Sequence, residues 1–336
     1  MLNIKIAILS LLLIALCSSN SHAQDFSHFQ KEYFEQLEFA HRGGYANGPE
    51  NSSKTILKNI ALDINAIEID IRMTKDNHLV VFHDETIERI LSCDQKLAVS
   101  DITLADLKEY SYRNKDLGEL YVETLEELLD AVIGKLNDEQ KKKLLIELDF
   151  KPNGERGVVA IEKMFKTLAL YTNTFDDDFR NHFYVATFYP DVLKGVRSQD
   201  SLIVTGFAVN NNPNKNKFLA RLAILFAPSI MKKNKVSVYE PNMCMLTPKM
   251  VKRWHNKHKK GYLINAWTAN TSCEKEKLKE LKVAFASNCP YDNCNADESD
   301  QLGKPKKWCK KCCKKCCDEN DTECCELCNP PKKKKK

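Results

Sequence analysis

Beyond its first 23 residues, the sequence has no apolar run of the roughly 20 residues that a membrane-spanning helix requires. Within those 23 residues, Lys5 is followed by an apolar run that ends at Leu16 and by a small-residue pattern that ends at Ala23. These features are typical of a secretory signal peptide cleaved after Ala23. We therefore expect residues 1–23 to be removed and the rest to be secreted, or periplasmic if the host is bacterial.

The sequence also has little positive charge outside its last residues. Residues 304–336 contain 12 lysines and five acidic residues, whereas the net charge of the whole chain is only +5, so the first 303 residues carry about −2. Binding to nucleic acid depends on cationic side chains that neutralise phosphates. No nucleic-acid partner is therefore expected for the body of the protein, and only the lysine-rich tail is suited to contact an anionic surface.

Between residues 24 and 300, short apolar runs typical of strands alternate with longer helical patterns. The eight predicted strands are Leu37–Ala40, Ala66–Ile71, Leu144–Phe150, Phe183–Thr187, Leu202–Phe207, Val236–Tyr239, Tyr262–Ala266 and Val283–Ala286. The predicted helices are Ser52–Leu62, Thr124–Ile133, Val158–Tyr171, Pro190–Ser198, Phe218–Leu225, Thr247–His258 and Glu274–Leu281. This alternation predicts an α/β fold, a (β/α)8 TIM barrel, although a doubly wound sheet would show a similar pattern.

The longest gap between predicted strands runs from His83 to Glu123, between the second and third strands. It has room for a hairpin that includes Val80–Phe82 and for a short helix around Leu104–Tyr110. We interpret this segment as a small insertion that covers the mouth of the barrel.

Acidic residues lie on two neighbouring predicted strands. Glu68 and Asp70 are two positions apart, so both carboxylates leave the same face of the second strand. Glu147, on the third strand, can bring a third carboxylate to the same place. An oxygen-rich anionic pocket of this kind suits one divalent cation, Ca²⁺ or Mg²⁺. Taken singly, each acid is better explained as a surface carboxylate or an ion-pair partner.

Two histidines accompany these acids, His41 after the first strand and His83 before the long gap. Imidazole titrates near neutral pH and can serve as a general acid or base. Next to His41, the guanidinium of Arg42 has the geometry to bind phosphate, and Gly43 and Gly44 allow a ligand to approach the backbone. Other histidines lack such neighbours and are predicted to be structural: His78, His182, His255 and His258.

The chain resembles the glycerophosphodiester phosphodiesterases, a family of phospholipase C-like phosphodiesterases with TIM-barrel folds. The segments that carry the resemblance are Ala40-His41-Arg42-Gly43-Gly44, Pro49-Glu50-Asn51-Ser52, Ile67-Glu68-Ile69-Asp70, Met73-Thr74-Lys75-Asp76, Val80-Val81-Phe82-His83-Asp84, Thr124-Leu125-Glu126-Glu127, Ile146-Glu147-Leu148-Asp149, Ala266-Trp267-Thr268-Ala269-Asn270 and Ser287-Asn288-Cys289-Pro290. The resemblance implies a barrel that cleaves a glycerophosphodiester to a glycerol phosphate and an alcohol. It also implies His41 and His83 as the acid and base.

The resemblance further implies roles for the remaining residues of the site. Glu68, Asp70 and Glu147 would bind the cation, Arg42 and Glu50 would lie near the substrate or the metal, and Trp267 would form an apolar wall of the pocket.

The chain departs from the family pattern at two positions. The family usually has lysine where this chain has Asp149, and Lys151 follows on the same strand face as Glu147. Lys151 is therefore a candidate phosphate ligand, and Asp149 is a candidate fourth metal-shell carboxylate. Asn288 replaces an aspartate of the family.

Two alternative functions remain open from the sequence. Related barrels act on lysophospholipids or sphingomyelin in a phospholipase D-type reaction, and the apolar stretch Phe218–Phe226 could rest on a lipid surface. A non-catalytic binding protein on the same scaffold is the second alternative. The presence of both histidines and all three carboxylates argues against that second alternative.

Residues 301–336 form a tail rich in lysine and cysteine, with eight cysteines between Cys309 and Cys328. In an exported chain this composition indicates a small disulfide-stapled module, with metal ligation as the alternative. Five cysteines lie in the body: Cys93, Cys244, Cys273, Cys289 and Cys294. Because five is odd, at least one is free, pairs with the tail or bridges chains, and Cys289–Cys294 could close a short loop.

Overall fold

A computed structural model of the chain describes residues 27–115, 118–209, 226–256 and 262–290. The predicted signal peptide, the predicted helix over Phe218–Leu225, the partner of Cys289 in the predicted loop closure and the tail of residues 301–336 lie outside the described residues and stay predictions. In the part of the chain that the structure describes, no helix has the length and apolar character needed to cross a membrane.

Eight parallel strands form a closed barrel. They are β1 (Glu38–Ala40), β2 (Ala66–Met73), β4 (Leu145–Phe150), β5 (Phe183–Thr187), β6 (Val204–Val209), β7 (Val238–Pro241), β8 (Leu263–Trp267) and β9 (Ala284–Ser287). Each strand pairs with the next around the barrel, and the pairings of β1 with β9 and with β2 close the ring. The closure confirms the predicted TIM barrel and excludes a doubly wound sheet.

A ninth strand, β3 (Leu79–Val81), pairs antiparallel with β2 and forms the predicted hairpin. The predicted barrel strands agree with the observed bounds to within about two residues, because their residues are almost entirely buried and read as continuous apolar runs. In the parallel pairing of β2 with β4, Glu68 lies opposite Glu147 and Asp70 lies opposite Asp149. This register brings four acids to one side of the barrel.

The described α-helices are α1 (Lys31–Phe34), α2 (Ser53–Ile60), α3 (Leu104–Leu107), α4 (Leu125–Ile133), α5 (Asp138–Lys143), α6 (Gly154–Ala169), α7 (Pro190–Gln199), α8 (Pro248–His255) and α9 (Ser272–Glu280). Residues 226–233 are also helical. At the start of α4, Thr124 and Glu127 form a reciprocal capping box. The sequence pattern did not predict α1 and α5. Helix α1 has only four residues, and α5 buries no residue, so an apolar periodicity could not reveal either helix.

The insertion between β2 and β4 has an apolar cluster of its own. Buried side chains of this cluster include Ile87, Leu91, Val99, Leu107 and Tyr112. The predicted helix at Leu104 is present but ends at Leu107. At the amino ends of the strands, Phe34 of α1 packs against Phe39 and Tyr184 in a separate cluster inside the barrel. The polar site lies toward the opposite, carboxyl ends of the strands.

Candidate active site

The turn that follows β1 has an unusual backbone. Arg42, Gly43 and Gly44 all have positive φ, at 52°, 78° and 81°. A side chain at position 44 would also place its Cβ about 2.5 Å from the amide nitrogen of Asn59, which packs under the turn. Glycine is therefore required by both conformation and space. The turn directs the Arg42 backbone N–H to Glu68, whose Oε2 accepts it at 2.7 Å.

Three carboxylates meet beside this turn: Glu68 and Asp70 of β2 and Asp149 of β4, each offering an oxygen within 4.8 Å of the others. Burial and the negative charge of Asp70 raise the pKa of Glu68 well above its usual value. Burial also raises the pKa of Asp149. Burial opposes ionisation of Asp70 as well, but Lys151 and His83 hold its pKa well below the usual range. The cluster therefore contains one acid whose ionisation its neighbours favour and two acids whose ionisation burial opposes.

Glu147 lies opposite Glu68 but has other partners. Its Oε2 accepts hydrogen bonds from the Tyr184 hydroxyl at 2.5 Å and from the Asn265 amide at 2.8 Å. Burial raises the pKa of Glu147 to about 8. Glu147 thus belongs to a hydrogen-bonded network inside the barrel, and Asp149, the sequence-derived candidate for a fourth ligand, completes the group of three carboxylates.

His41 is held from the last strand of the barrel. Its Nδ1 is 2.5 Å from Oδ1 of Asn288, and its Nε2 is 3.9 Å from Glu68 Oε2. An amide oxygen can only accept, so Nδ1 carries the proton in this contact and Nε2 is unprotonated when the ring is neutral. Burial and the charge of Arg42 lower the pKa of His41 to about 3. Asn288, which stands where the family has an aspartate, is therefore a hydrogen-bond partner of His41.

His83 follows β3 and is held by its neighbour in the chain. Its Nδ1 lies 2.6 Å from Oδ1 of Asp84, and its backbone carbonyl accepts a hydrogen bond from Arg72 Nε at 2.8 Å. Burial opposes ionisation of Asp84, but hydrogen bonds from His83 and Arg89 hold its pKa well below the usual value. As at His41, the hydrogen bond uses Nδ1 and leaves Nε2 to exchange a proton.

Two cationic side chains border the carboxylates. Arg42 Nη1 is 3.2 Å from Glu50 Oε1, and Arg42 Nε is 3.8 Å from Asp70 Oδ2. Lys151 Nζ is 2.8 Å from Asp70 Oδ1 and also contacts Asp149. Burial would lower the pKa of Lys151, but Asp149 and Asp70 raise it, so the ammonium stays charged. The structure thus brings both predicted phosphate ligands to the acidic cluster.

Aromatic side chains form the neighbouring wall. Trp267 ends β8 and donates its indole N–H to the Glu240 carbonyl at 3.0 Å. Phe188, which directly follows β5, lies edge-to-face against Trp267, with 6.0 Å between ring centroids, and its ring centroid is 5.7 Å from Lys151 Nζ. The sequence reading predicted Trp267 and missed Phe188, although its place directly after a barrel strand could have identified it.

Asn51 is a second residue without a predicted role. Its amide donates to Asp70 Oδ2 at 2.9 Å, and its Oδ1 accepts the backbone N–H of Asp70 at 3.1 Å. The residue has φ of 57°, a conformation that asparagine tolerates better than most residues. Asn51 therefore fixes the orientation of Asp70. Its position between Glu50 and the helix cap Ser52 could have identified Asn51 as a site residue from the sequence.

The donors of the cluster fit a hard divalent cation. Glu68, Asp70 and Asp149 supply carboxylate oxygens only, and the Oδ1 atom of Asp149 is buried and accepts no hydrogen bond from the described residues. Burial of the charged carboxylates is what raises the pKa values of Glu68 and Asp149. A cation bound by these oxygens would offset the cost of burying that charge.

The chain is similar to known proteins in sequence. A model of the glycerophosphoryl diester phosphodiesterase family matches residues 41–285. Human glycerophosphodiester phosphodiesterase 1 is 23% identical over 277 residues, which cover 76% of this chain and 78% of that protein. A glycerophosphodiester phosphodiesterase of Caldanaerobacter subterraneus is 41% identical over 73 residues, only 22% of this chain and 29% of that protein.

Solved structures share the fold. A phosphodiesterase of Oleispira antarctica in complex with the product sn-glycerol-3-phosphate superposes with a TM-score of 0.61 at 19% identity, covering 77% of this chain and 96% of that chain. A glycerophosphodiester phosphodiesterase of Parabacteroides distasonis gives a TM-score of 0.58 at 17% identity, covering 79% of this chain and 95% of that chain.

Proposed function

Because this chain belongs to the glycerophosphoryl diester phosphodiesterase family and is an enzyme of that class, we propose that it uses two histidines and one divalent cation to hydrolyse glycerophosphodiesters to a glycerol phosphate and an alcohol. One observation supports this proposal above the others. His41 and His83 come from separate loops, each has its Nδ1 atom held by a hydrogen bond, and both favour the ionised form of Asp70 by lowering its pKa.

The two histidines have different environments, which suggests their roles. His41, with its pKa lowered to about 3, is neutral at neutral pH, and its Nε2 can accept a proton from the attacking hydroxyl. That hydroxyl belongs to water or to the glycerol of the substrate, and in the second case a cyclic phosphate forms that water then opens to glycerol phosphate. As its oxygen bonds to phosphorus, the bond from phosphorus to the alcohol oxygen breaks. His83, held against the Asp84 carboxylate, donates the proton that the departing alcohol requires.

The remaining side chains bind and orient the phosphodiester. Glu68, Asp70 and Asp149 would hold one Ca²⁺ or Mg²⁺, with Glu147 as the further ligand predicted from the sequence. Such a cation, when bound, offsets negative charge on the phosphoryl oxygens. Arg42 and Lys151 bring two positive charges to the same oxygens.

The aromatic wall of the site indicates which part of the substrate lies against it. Trp267 and Phe188 present aromatic surface to the organic part of the substrate.

Export is proposed from residues 1–23 alone, and amino-terminal sequencing of the expressed protein should find Gln24 as the first residue. A chain that retains Met1 in the culture medium would contradict the predicted cleavage.

Phosphorus NMR of the reaction products tests the proposed activity. With Ca²⁺ or Mg²⁺, glycerophosphocholine should give glycerol phosphate, and a chelator should abolish that conversion. Turnover of lysophosphatidylcholine alone would favour the lysophospholipase D alternative. A protein that converts neither substrate would refute the proposed function.

A further inference from the structure

Arg89 lies in the insertion, outside the barrel, yet its guanidinium reaches two residues of the site. Its Nη1 and Nη2 donate to the two carboxylate oxygens of Glu50 at 3.0 and 2.8 Å. Nη2 also donates to Asp84 Oδ1 at 2.9 Å, and Nε donates to Asp84 Oδ2. One side chain therefore bridges the loop after β1 and the residue that holds His83.

The backbone that carries Arg89 is well anchored. Ile87, Ile90 and Leu91, on both sides of it in sequence, are buried in the apolar cluster of the insertion. At the far end, Glu50 is buried and also binds Arg42. Because both ends are restrained, the position of the guanidinium, and of the Asp84 carboxylate that it binds, follows from the packing of the insertion.

We propose that Arg89 is a positioning residue for His83. It holds the Asp84 carboxylate, which accepts the Nδ1 proton of His83 and so sets the direction of Nε2. The inference rests on the role proposed above for His83. It gives the insertion a function beyond supplying His83, because the packing of the insertion determines the orientation of that histidine.

The chemistry of arginine explains the choice of residue. A planar guanidinium presents donors on two edges, so it can bind two carboxylates at once with fixed geometry. The lysine ammonium is a single point with three rotatable donors, and it cannot reproduce two paired contacts. We therefore expect Arg89→Lys to retain the charge but only part of the orientation.

Arg113 offers a matched control in the same insertion. Its side chain is 44% exposed, compared with 50% for Arg89. Like Arg89 it makes several hydrogen bonds, which go to the Cys93 carbonyl at 2.7 Å, Asp94 at 2.8 Å and the Glu88 carbonyl at 3.2 Å. None of these partners belongs to the site, so Arg113→Ala removes a comparable structural contact only.

Steady-state kinetics on glycerophosphocholine, with the full chain and saturating cation, test the proposal. Arg89→Ala should lower kcat by about tenfold to a hundredfold, a part of the contribution of an acid or base, with a smaller change in KM. Arg89→Lys should fall between Arg89→Ala and the wild type, and Arg113→Ala should keep the wild-type kcat. Wild-type kcat in Arg89→Ala would overturn the proposal, and if that variant does not fold, wild-type kcat in Arg89→Lys would do the same.

A double-mutant cycle separates positioning from general support. If Arg89 acts through Asp84, the Arg89→Ala change should have little further effect on kcat in an Asp84→Ala background. Full additivity of the two losses would overturn the proposal. The variant His83→Ala separates failure of the Arg89 proposal from failure of the proposed function. If His83→Ala is inactive and Arg89→Ala is active, only the role of Arg89 is refuted. If His83→Ala is active, the catalytic assignment of His83 is refuted.

Discussion

The barrel contains two pairs of histidines whose hydrogen bonds differ. His41 and His83, at the site, each use Nδ1 in a hydrogen bond among the described residues and keep Nε2 for exchange. His182, which precedes β5, has both ring nitrogens engaged: Nδ1 is 2.8 Å from the Leu144 carbonyl and Nε2 is 2.6 Å from Asp177. Its neighbour His28 is buried beside it, with 5.1 Å between ring centroids.

The difference shows what makes a histidine available for chemistry. The ring of His182 is stacked on Phe175 at 3.8 Å and has no nitrogen left to transfer a proton. His41 and His83 are equally anchored through Nδ1, but their second nitrogen has no hydrogen bond among the described residues. The number of engaged nitrogens therefore separates His182 from the two site histidines, which are also less buried, with side chains 16% and 32% exposed compared with 1% for His182.

Removal of a site histidine should have the largest effect. We expect His41→Ala and His83→Ala each to lower kcat by about 10²–10⁴-fold, the usual contribution of a general acid or base. Steady-state assays with glycerophosphocholine measure this loss. A His182→Ala variant that folds and loses activity to the same extent would remove the distinction between the two pairs.

The acids that face the site histidines should be required for metal binding. Chelation should abolish activity and added Ca²⁺ or Mg²⁺ should restore it, and in calorimetry Asp149→Asn should weaken cation binding by more than about tenfold. Glu147→Gln provides the comparison, since Glu147 is hydrogen-bonded to Tyr184 and Asn265. A stronger loss in Glu147→Gln than in Asp149→Asn would assign Glu147 as the more important ligand.

The second histidine pair should matter for stability and not for turnover. His182→Ala leaves the Leu144 carbonyl without its side-chain partner and removes one of the hydrogen bonds to Asp177, so we expect the free energy of unfolding to fall by about 1–3 kcal/mol. Urea denaturation measures this change, and kcat of the folded variant should be preserved. A variant as stable as the wild type would show that the contacts of His182 are not needed.

The last prediction concerns a dependence of stability on pH that comes from His28. Burial and the nearby His182 lower the pKa of His28 from 6.5 to about 4. Between these values the unfolded chain binds a proton that the folded chain does not, so stability is lost as the pH falls, by at most about 1.4 kcal/mol per pH unit. Urea midpoints of the wild type and His28→Gln at pH 7, 5.5 and 4.5 should converge at low pH. Parallel pH profiles would contradict this assignment.

Much of the site could be predicted from local patterns. The period of two along β2 placed Glu68 and Asp70 on one face, and the structure agrees. The same period could not decide between Glu147 and Asp149, which also share a face. The choice depends on where each side chain finds hydrogen bonds, and the partners of Glu147 come from β5 and β8, which are distant in sequence.

The contacts that the insertion makes could not be predicted from the sequence for the same reason. Arg89 looks like one of many surface arginines, and nothing near it in sequence indicates that Glu50 accepts two of its hydrogen bonds. Similarly, the polar helix α5 has no apolar face to reveal it.

The sequence by itself determined the order of the barrel strands, the faces on which the acids lie and a conformationally permissive glycine pair after the first strand. These features depend on the apolar period and on backbone sterics, which are local. Tertiary structure decided the rest: closure of the barrel brings Asn288 to His41 across 247 residues, and the packing of the insertion brings Arg89 to Glu50 across 39 residues. Such contacts depend on the path of the whole chain in space, because hydrogen bonds form over about 3 Å whatever the separation in sequence.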